Sequence, residues 1–205
     1  MDYTRLVQIT NPKTLIDVGA HLGEFTKNIL KITKDCQVVM VEANPKCEIY
    51  LKETKLPYDI TALSNFNGTS ELYIQKINQI GSGSSLYREN TSWYSDGEYD
   101  IINVPVSTLD DKNYFSDNMI DLVKLDVQGS ELDILYGGRK TIKRTKYVLI
   151  EVSLIEYNLG APLMDIIVNK MKEFGFGIND ILEYHKLQNN QIFQLDILFK
   201  NSYID

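Results

Sequence analysis

The sequence predicts an α/β protein built on a doubly wound, mostly parallel sheet with helices on both faces. Three observations predict it. Short, mostly apolar runs, such as residues 14–18 (TLIDV) and 147–152 (YVLIEV), have the length and lack of polar alternation of strands buried on both sides. Stretches with helical spacing separate them, as repeated strand–helix units require. Most of the runs also stop at a glycine or a carboxylate.

Taken in order, residues 14–18 form a strand that ends at Gly19, and Phe25, Ile29, Leu30 and Ile32 mark a helix beginning around Leu22. Residues 37–41 (QVVMV) form a second buried strand ending at Glu42. Pro45 suits the first turn of the next helix, with Asn44 as its N-cap. Residues 58–63 read as one third strand. Asn67-Gly68 then turns the chain into an exposed hairpin strand with Leu72 and Ile74 alternating, and residues 101–106 return. Between them GSGSS (81–85) is a flexible loop, too short to link domains. Residues 121–127 (DLVKLDV) are the fourth buried strand. Ser130 caps a helix through Tyr136 that Gly137-Gly138 ends, and residues 147–152 are the fifth strand. Pro162 opens a helix with Leu163, Ile166, Ile167 and Met171 on its apolar face, stopping near Gly175. Residues 178–184 and 192–199 close the chain as an antiparallel pair. Residues 1–205 are expected to form a single domain, with about 68–106 as an inserted hairpin and loop.

Composition narrows the function. The 205 residues are 43% hydrophobic and 24% charged, which is ordinary for a globular chain and excludes disordered and low-complexity classes. Net charge is −7, a poor basis for gripping a phosphate backbone or anionic lipid, so no nucleic-acid partner is expected. Cys36 and Cys47 form no CxxC pair and only two histidines occur, so no structural zinc pattern can be assembled. No apolar run approaches the ~18 residues of a membrane span, and the opening residues lack a signal pattern. The expectation is a soluble, reduced, cytoplasmic protein.

In a doubly wound sheet, ligands bind beyond the carboxyl ends of the strands. Those ends carry Asp17, Glu42, Asp126 and Glu151. Gly19, in Asp17-Val18-Gly19-Ala20-His21-Leu22-Gly23, lets a ligand approach the backbone, and Gly23 permits close packing or entry into the helix. A dinucleotide fingerprint would need glycines at 19, 21 and 24; His21 and Glu24 stand at the latter two, which disfavours NAD. Asp17 would repel a pyrophosphate and attract an ammonium group, directly or through water. Glu42 can accept both hydroxyls of a ribose. An amine, a ribose and an uncharged linkage over glycine together describe S-adenosylmethionine.

The segments themselves resemble a known family. LIDVGAHLGEFT resembles the first motif of class I methyltransferases, and VMVEANP their second strand end. DLVKLDVQGSELDILYGG, with YVLIEVS, VSTLDD and FQLDILFKN, is similar to the segments that mark FkbM-type methyltransferases, over roughly residues 11–200. The resemblance implies a Rossmann-like fold with a seven-stranded sheet whose last strand is antiparallel. It implies S-adenosylmethionine held by Asp17, Gly19, Ala20, Gly23 and Glu42, with His21, Ala43 and Asp126 beside them and Ala62-Leu63-Ser64 framing the adenine. It implies O-methylation of a sugar or another small hydroxylated acceptor. His21 and Gln128 depart from the family's usual asparagine and glutamate.

Methyl transfer from a sulfonium is an in-line displacement that needs alignment and, for a hydroxyl, a base. Asp126, His21 and Glu151 are the candidate bases. Lys124 shares a strand face with Asp126, so an ion pair would orient that acid while lowering its basicity. Glu131 either catalyses or steadies the helix N-terminus. Asp126 and Glu151 lack a clear third oxygen ligand, so no metal is expected. Tyr87, Trp93, Tyr94 and Tyr99, with Arg88, would face a glycan or other small-molecule acceptor or else pack the hairpin, and the glycine-serine loop would close over it. The hairpin also offers a surface for a homodimer. A cofactor- or ligand-binding module without turnover is the alternative reading.

Overall fold

The computed structural model describes residues 1–91, 94–95, 97–116 and 118–204. Its main sheet has seven strands: β1 (Thr14–Val18), β2 (Gln37–Glu42), β3 (Tyr58–Ile60), β7 (Ile120–Leu125), β8 (Thr145–Ser153), β9 (Phe176–Lys186) and β10 (Ile192–Asn201), in the order β3-β2-β1-β7-β8-β10-β9. The central pairings are parallel, and β10 runs antiparallel to both β8 and β9. After β3 the chain crosses to the other side of β1, so the order reverses between β1 and β7. That is where a doubly wound sheet opens a crevice.

Strand alternation builds two cores from the same strands. Ile16, Val18, Val123, Leu125, Val148 and Ile150 face one side. They meet Leu109 of α4 (Leu109–Lys112), Ile134 and Leu135 of α5 (Glu131–Gly137), Ile142 of α6 (Arg139–Lys143), and Ile167 and Met171 of α7 (Met164–Glu173). Leu15, Val38, Met40, Leu122 and Leu149 face the other. There they pack on Leu6 and Val7 of α1 (Tyr3–Thr10), Phe25 and Ile29 of α2 (Glu24–Ile32), and Leu51 of α3 (Glu48–Glu53). Burial on both faces explains why the central strands lack polar alternation.

Three expectations are corrected. The run 58–63 is not one strand: β3 stops at Ile60, and β4 (Ala62–Ser64) leaves the main sheet to pair in parallel with β6 (Tyr99–Thr108). Thr61 marks the break, its amide donating to the Glu42 carbonyl and its hydroxyl to the Pro105 carbonyl. The hairpin is not merely exposed. β5 (Gly68–Gln75) pairs antiparallel with β6, and Leu72, Ile74, Val104 and Val106 close a small third core with Ala62. Helix α1 was not anticipated either, although Asp2 caps it by accepting from the Arg5 amide. Pro45–Cys47 forms a single 3₁₀ turn before α3, with Asn44 as its cap. No helix among the described residues is long and apolar enough to cross a membrane.

Candidate active site

At the β1–β7 crevice the loop after β1 folds tightly against the end of β7. Gly19 adopts φ +75°, and a Cβ there would lie 1.7 Å from the Asp126 carbonyl oxygen. Its glycine is demanded first by this backbone contact. The Gly19 and Ala20 amides donate to the Val41 carbonyl, drawing the loop over the end of β2. His21, also at positive φ, donates its amide to Glu42 Oε2 at 2.8 Å, while the Asn44 amide donates to Oε1 at 2.8 Å. Glu42 is almost fully buried, and burial raises its pKa although both amides counteract it.

A second set of charges sits on the α2 side of the sheet. Asp17 and Lys124 are register partners on β1 and β7, and Asp126 follows Lys124 on the same face. Lys124 Nζ lies 3.5 Å from Asp17 Oδ1, 3.1 Å from Asp126 Oδ2, and donates to the Gly19 carbonyl. Burial alone would lower its pKa, but the Asp126 and Asp17 carboxylates hold the ammonium above its ordinary value. Asp17 is 0% exposed and accepts from the Thr26 hydroxyl at 2.7 Å. It is not among the residues that line the cavity, whereas its partner Lys124 is.

The cavity itself, about 270 Å³, is walled by Gly19, Ala20, His21, Glu42 and Ala43, by Ala62, Leu63 and Leu72, and by Lys124 and Asp126. The apolar slot, the acid at the end of β2 and the tight glycine turn fit an adenosyl group better than a pyrophosphate. Ser130 also lines this cavity, with its hydroxyl oxygen buried and without a hydrogen-bond partner among the described residues. Ser130 stands at the N-cap position of α5 as expected, but its side chain makes no capping bond. Gly23 and Ser64 do not reach the cavity. Gly23 packs against Met40 and Leu51, and the Ser64 carbonyl faces Gly137.

The loop of residues 79–86 covers the opening and is tied down at several points. His21 Nε2 lies 2.5 Å from the Ile80 carbonyl, which can only accept, so Nε2 carries the proton. Asn44 Nδ2 donates to the Gln79 carbonyl and the Ser84 hydroxyl, and the Ser85 hydroxyl donates to the Gln128 carbonyl. His21 is therefore engaged as a tether.

Beyond Asp126 the charges condense into an acidic group. Gln128 Nε2 donates to Asp126 Oδ1 at 3.1 Å and to Glu151 Oε2 at 2.5 Å, and Gln194 Nε2 donates to the same Glu151 oxygen at 2.9 Å. Burial, then the neighbouring Asp126, Asp196 and Glu131 carboxylates, push Glu151 well above the usual range. Burial likewise raises Asp196 to about 6 and Glu131 to about 7. Glu131 accepts from the Val127 and Gly129 amides and lines no cavity, which gives it the helix-terminus role. His185 stands 3.4 Å from Asp196 and 3.8 Å from Glu151. With Glu183 and Asp196 it forms a cluster able to hold a metal ion, outside the cavity walls.

The aromatic residues of the insertion pack inward. Tyr94 is buried with its hydroxyl on the Gly83 carbonyl, Tyr99 stacks with it and lies under Arg88, and Tyr87 donates to Asp133. None of the three lines either cavity. Trp93 lies outside the described residues. Sequence reasoning missed Gln194 and Tyr157, which reach the site from the last strand and from the loop before α7; no motif marks either one.

Fold and site together define a class I, S-adenosylmethionine-dependent methyltransferase. Residues 17–178 match the Methyltransferase FkbM domain, and the chain belongs to that family. A curated relative, the 2-O-methyltransferase NoeI of Sinorhizobium fredii, is 25% identical over 177 residues, covering 78% of this chain and 71% of that protein. The fold is shared with magnesium protoporphyrin IX methyltransferase from Synechocystis (TM-score 0.54, 9% identity, 98% of this chain and 78% of that one). It is also shared with a putative RNA methyltransferase from Pyrococcus horikoshii (TM-score 0.53, 13% identity, 98% and 80%).

Proposed function

We propose that the protein transfers a methyl group to a hydroxyl of a small acceptor, with Glu151 taking the hydroxyl proton. The observation behind this reading is the position of Glu151, which lines both the cofactor cavity and a second, polar cavity beside it. S-adenosylmethionine supplies an electrophilic methyl on a sulfonium sulfur. With it bound, an acceptor oxygen would bond to that carbon as the carbon–sulfur pair returned to sulfur, and Glu151 would take the hydroxyl proton.

Leu63 and Leu72 would cover the adenine, Glu42 would receive the ribose hydroxyls, and Asp126 would face the cofactor's ammonium, since Asp17 does not line the cavity. Asp126 is suited to this because it lines the cofactor cavity and is paired with the Lys124 ammonium at 3.1 Å. Glu151 has the opposite environment: burial among carboxylates raises its proton affinity. Gln128 and Gln194 fix its orientation. NoeI is a 2-O-methyltransferase, which favours oxygen as the methylated atom here too.

The test is release of S-adenosylhomocysteine against a panel of hydroxylated acceptors, with mass spectrometry locating the methyl. Acceptor-dependent release with the methyl on oxygen is expected. Methyl on nitrogen or carbon, or no acceptor-dependent release, rejects the reading. Glu151→Gln should lower kcat by about 10²–10⁴-fold while S-adenosylhomocysteine affinity holds.

A further inference from the structure

The second cavity, about 350 Å³, adjoins the cofactor cavity and shares Gly81, Ser82, Gln128 and Glu151 with it. Its size is near the small end of the ~300–1,000 Å³ typical of small-molecule sites. Its walls are unusual in kind. No aliphatic side chain and no lysine, arginine or histidine lines it among the described residues; amides, hydroxyls, glycine backbone and two carboxylates do. A sugar-sized polyol would find hydrogen-bond partners on every side, and an anion would find no counter-charge.

The second carboxylate, Glu89, is 5% exposed. It sits in a short antiparallel bridge with Asn158, flanked by the Asn90 amide on the Tyr157 carbonyl and the Leu159 amide on the Arg88 carbonyl. Its hydrogen-bond partners among the described residues include the hydroxyls of Thr91 and Tyr157, both neutral donors. A Cβ on Gly83 would stand 2.8 Å from Glu89 Oε2, so the loop runs directly over the carboxylate. A buried carboxylate is costly unless a cation or several donors meet it. Lys124 lines only the cofactor cavity and is engaged by Asp17 and Asp126.

We infer that this cavity is the acceptor site and that it selects a hydroxylated acceptor bearing an ammonium group, of the amino-sugar class, with Glu89 pairing the ammonium and Glu151 facing the hydroxyl. The inference rests on the proposed methyl transfer to oxygen for the role of Glu151, and on the cavity alone for the charge. Glu89 acts in recognition; it lines this cavity and not the cofactor cavity.

The experiment measures binding of glucosamine, glucose, N-acetylglucosamine and glucuronate to the full chain saturated with S-adenosylhomocysteine. These probes share a ring and differ in charge. Glucosamine should bind about tenfold more tightly than glucose or N-acetylglucosamine, a difference of ~1.4 kcal/mol, and glucuronate should bind least. Equal binding of glucose and glucosamine, preference for glucuronate, or no binding of any probe overturns the inference. In Glu89→Gln the glucosamine and glucose affinities should converge; a preference that survives overturns the role of Glu89. Because the wild-type ranking decides the charge question without a variant, misfolding of Glu89→Gln would not rescue it. Under turnover with S-adenosylmethionine, methyl on the amino nitrogen would reject the O-methylation reading and leave the ammonium site standing.

Discussion

Gly19 and Asp17, two residues apart, show how differently the same motif can be read from sequence and from structure. Gly19 was expected to admit a ligand, and the contact it permits is with the Asp126 carbonyl at the end of β7. Gly19→Ala therefore combines a left-handed φ with a backbone collision. Overpacking costs ~1–3 kcal/mol or more, and a urea titration should show a loss of at least about 2 kcal/mol. Asp17 was expected to face the ligand, and it instead anchors Lys124 from beneath. Lys124→Met would leave Asp17 buried and unpaired, at ~3–5 kcal/mol, and Asp17→Asn in the same chain should recover part of the loss. Sequence spacing showed that Lys124 and Asp126 share a face; it could not show that β1 would bring Asp17 to the same ammonium. Glu42 keeps its expected place at the cavity. Glu42→Gln should weaken S-adenosylhomocysteine binding by about 10–100-fold in calorimetry, the scale of a charged hydrogen bond worth ~1.5–3 kcal/mol.

At the scale of elements, the buried strands were the most legible part of the chain. Uninterrupted apolar runs at 14–18, 37–41 and 147–152 correspond to β1, β2 and β8 because burial on both faces leaves no room for polar alternation. The run 58–63 misled because its composition is continuous while its partners are not: β2 claims Tyr58–Ile60 and β6 claims Ala62–Ser64. The loop 79–86 is the element whose behaviour matters most for access. It is held by side chains distant in sequence, chiefly His21 and Asn44. Asn44→Ala should raise amide hydrogen exchange across residues 79–86 and increase the apparent Kd for cofactor, since the loop spends more time open.

For the whole molecule, the acidic group spanning β7, β8, β10 and α5 couples stability to pH. Glu131, raised to about 7, and Asp196, raised to about 6, bind protons more tightly folded than unfolded. Between the ordinary carboxylate range and about pH 7 the folded state therefore holds more protons, and stability falls as pH rises through that window. Their contribution is fully present below the ordinary carboxylate pKa and lost above about pH 7. Thermal melts from pH 4.5 to 8 should show this decline, and Glu131→Gln should flatten its upper part. Under the proposed mechanism catalysis would run the other way. As the proposed base Glu151 would need to be ionised, so kcat should rise with pH along a limb that Glu151→Gln removes.

The amino-acid sequence alone determined the α/β class, the crevice beyond the strand ends and the presence there of Glu42, Asp126 and Glu151, because period, turn chemistry and strand-end position are local properties of the chain. Only the tertiary structure decided which acids face a cavity and which are sealed beneath it. That choice depends on register between β1 and β7, on the folding of the 79–86 loop over both openings, and on Gln194 and Tyr157 arriving from distant segments. Such meetings are set by non-local packing, which leaves no periodic trace in the residues that take part.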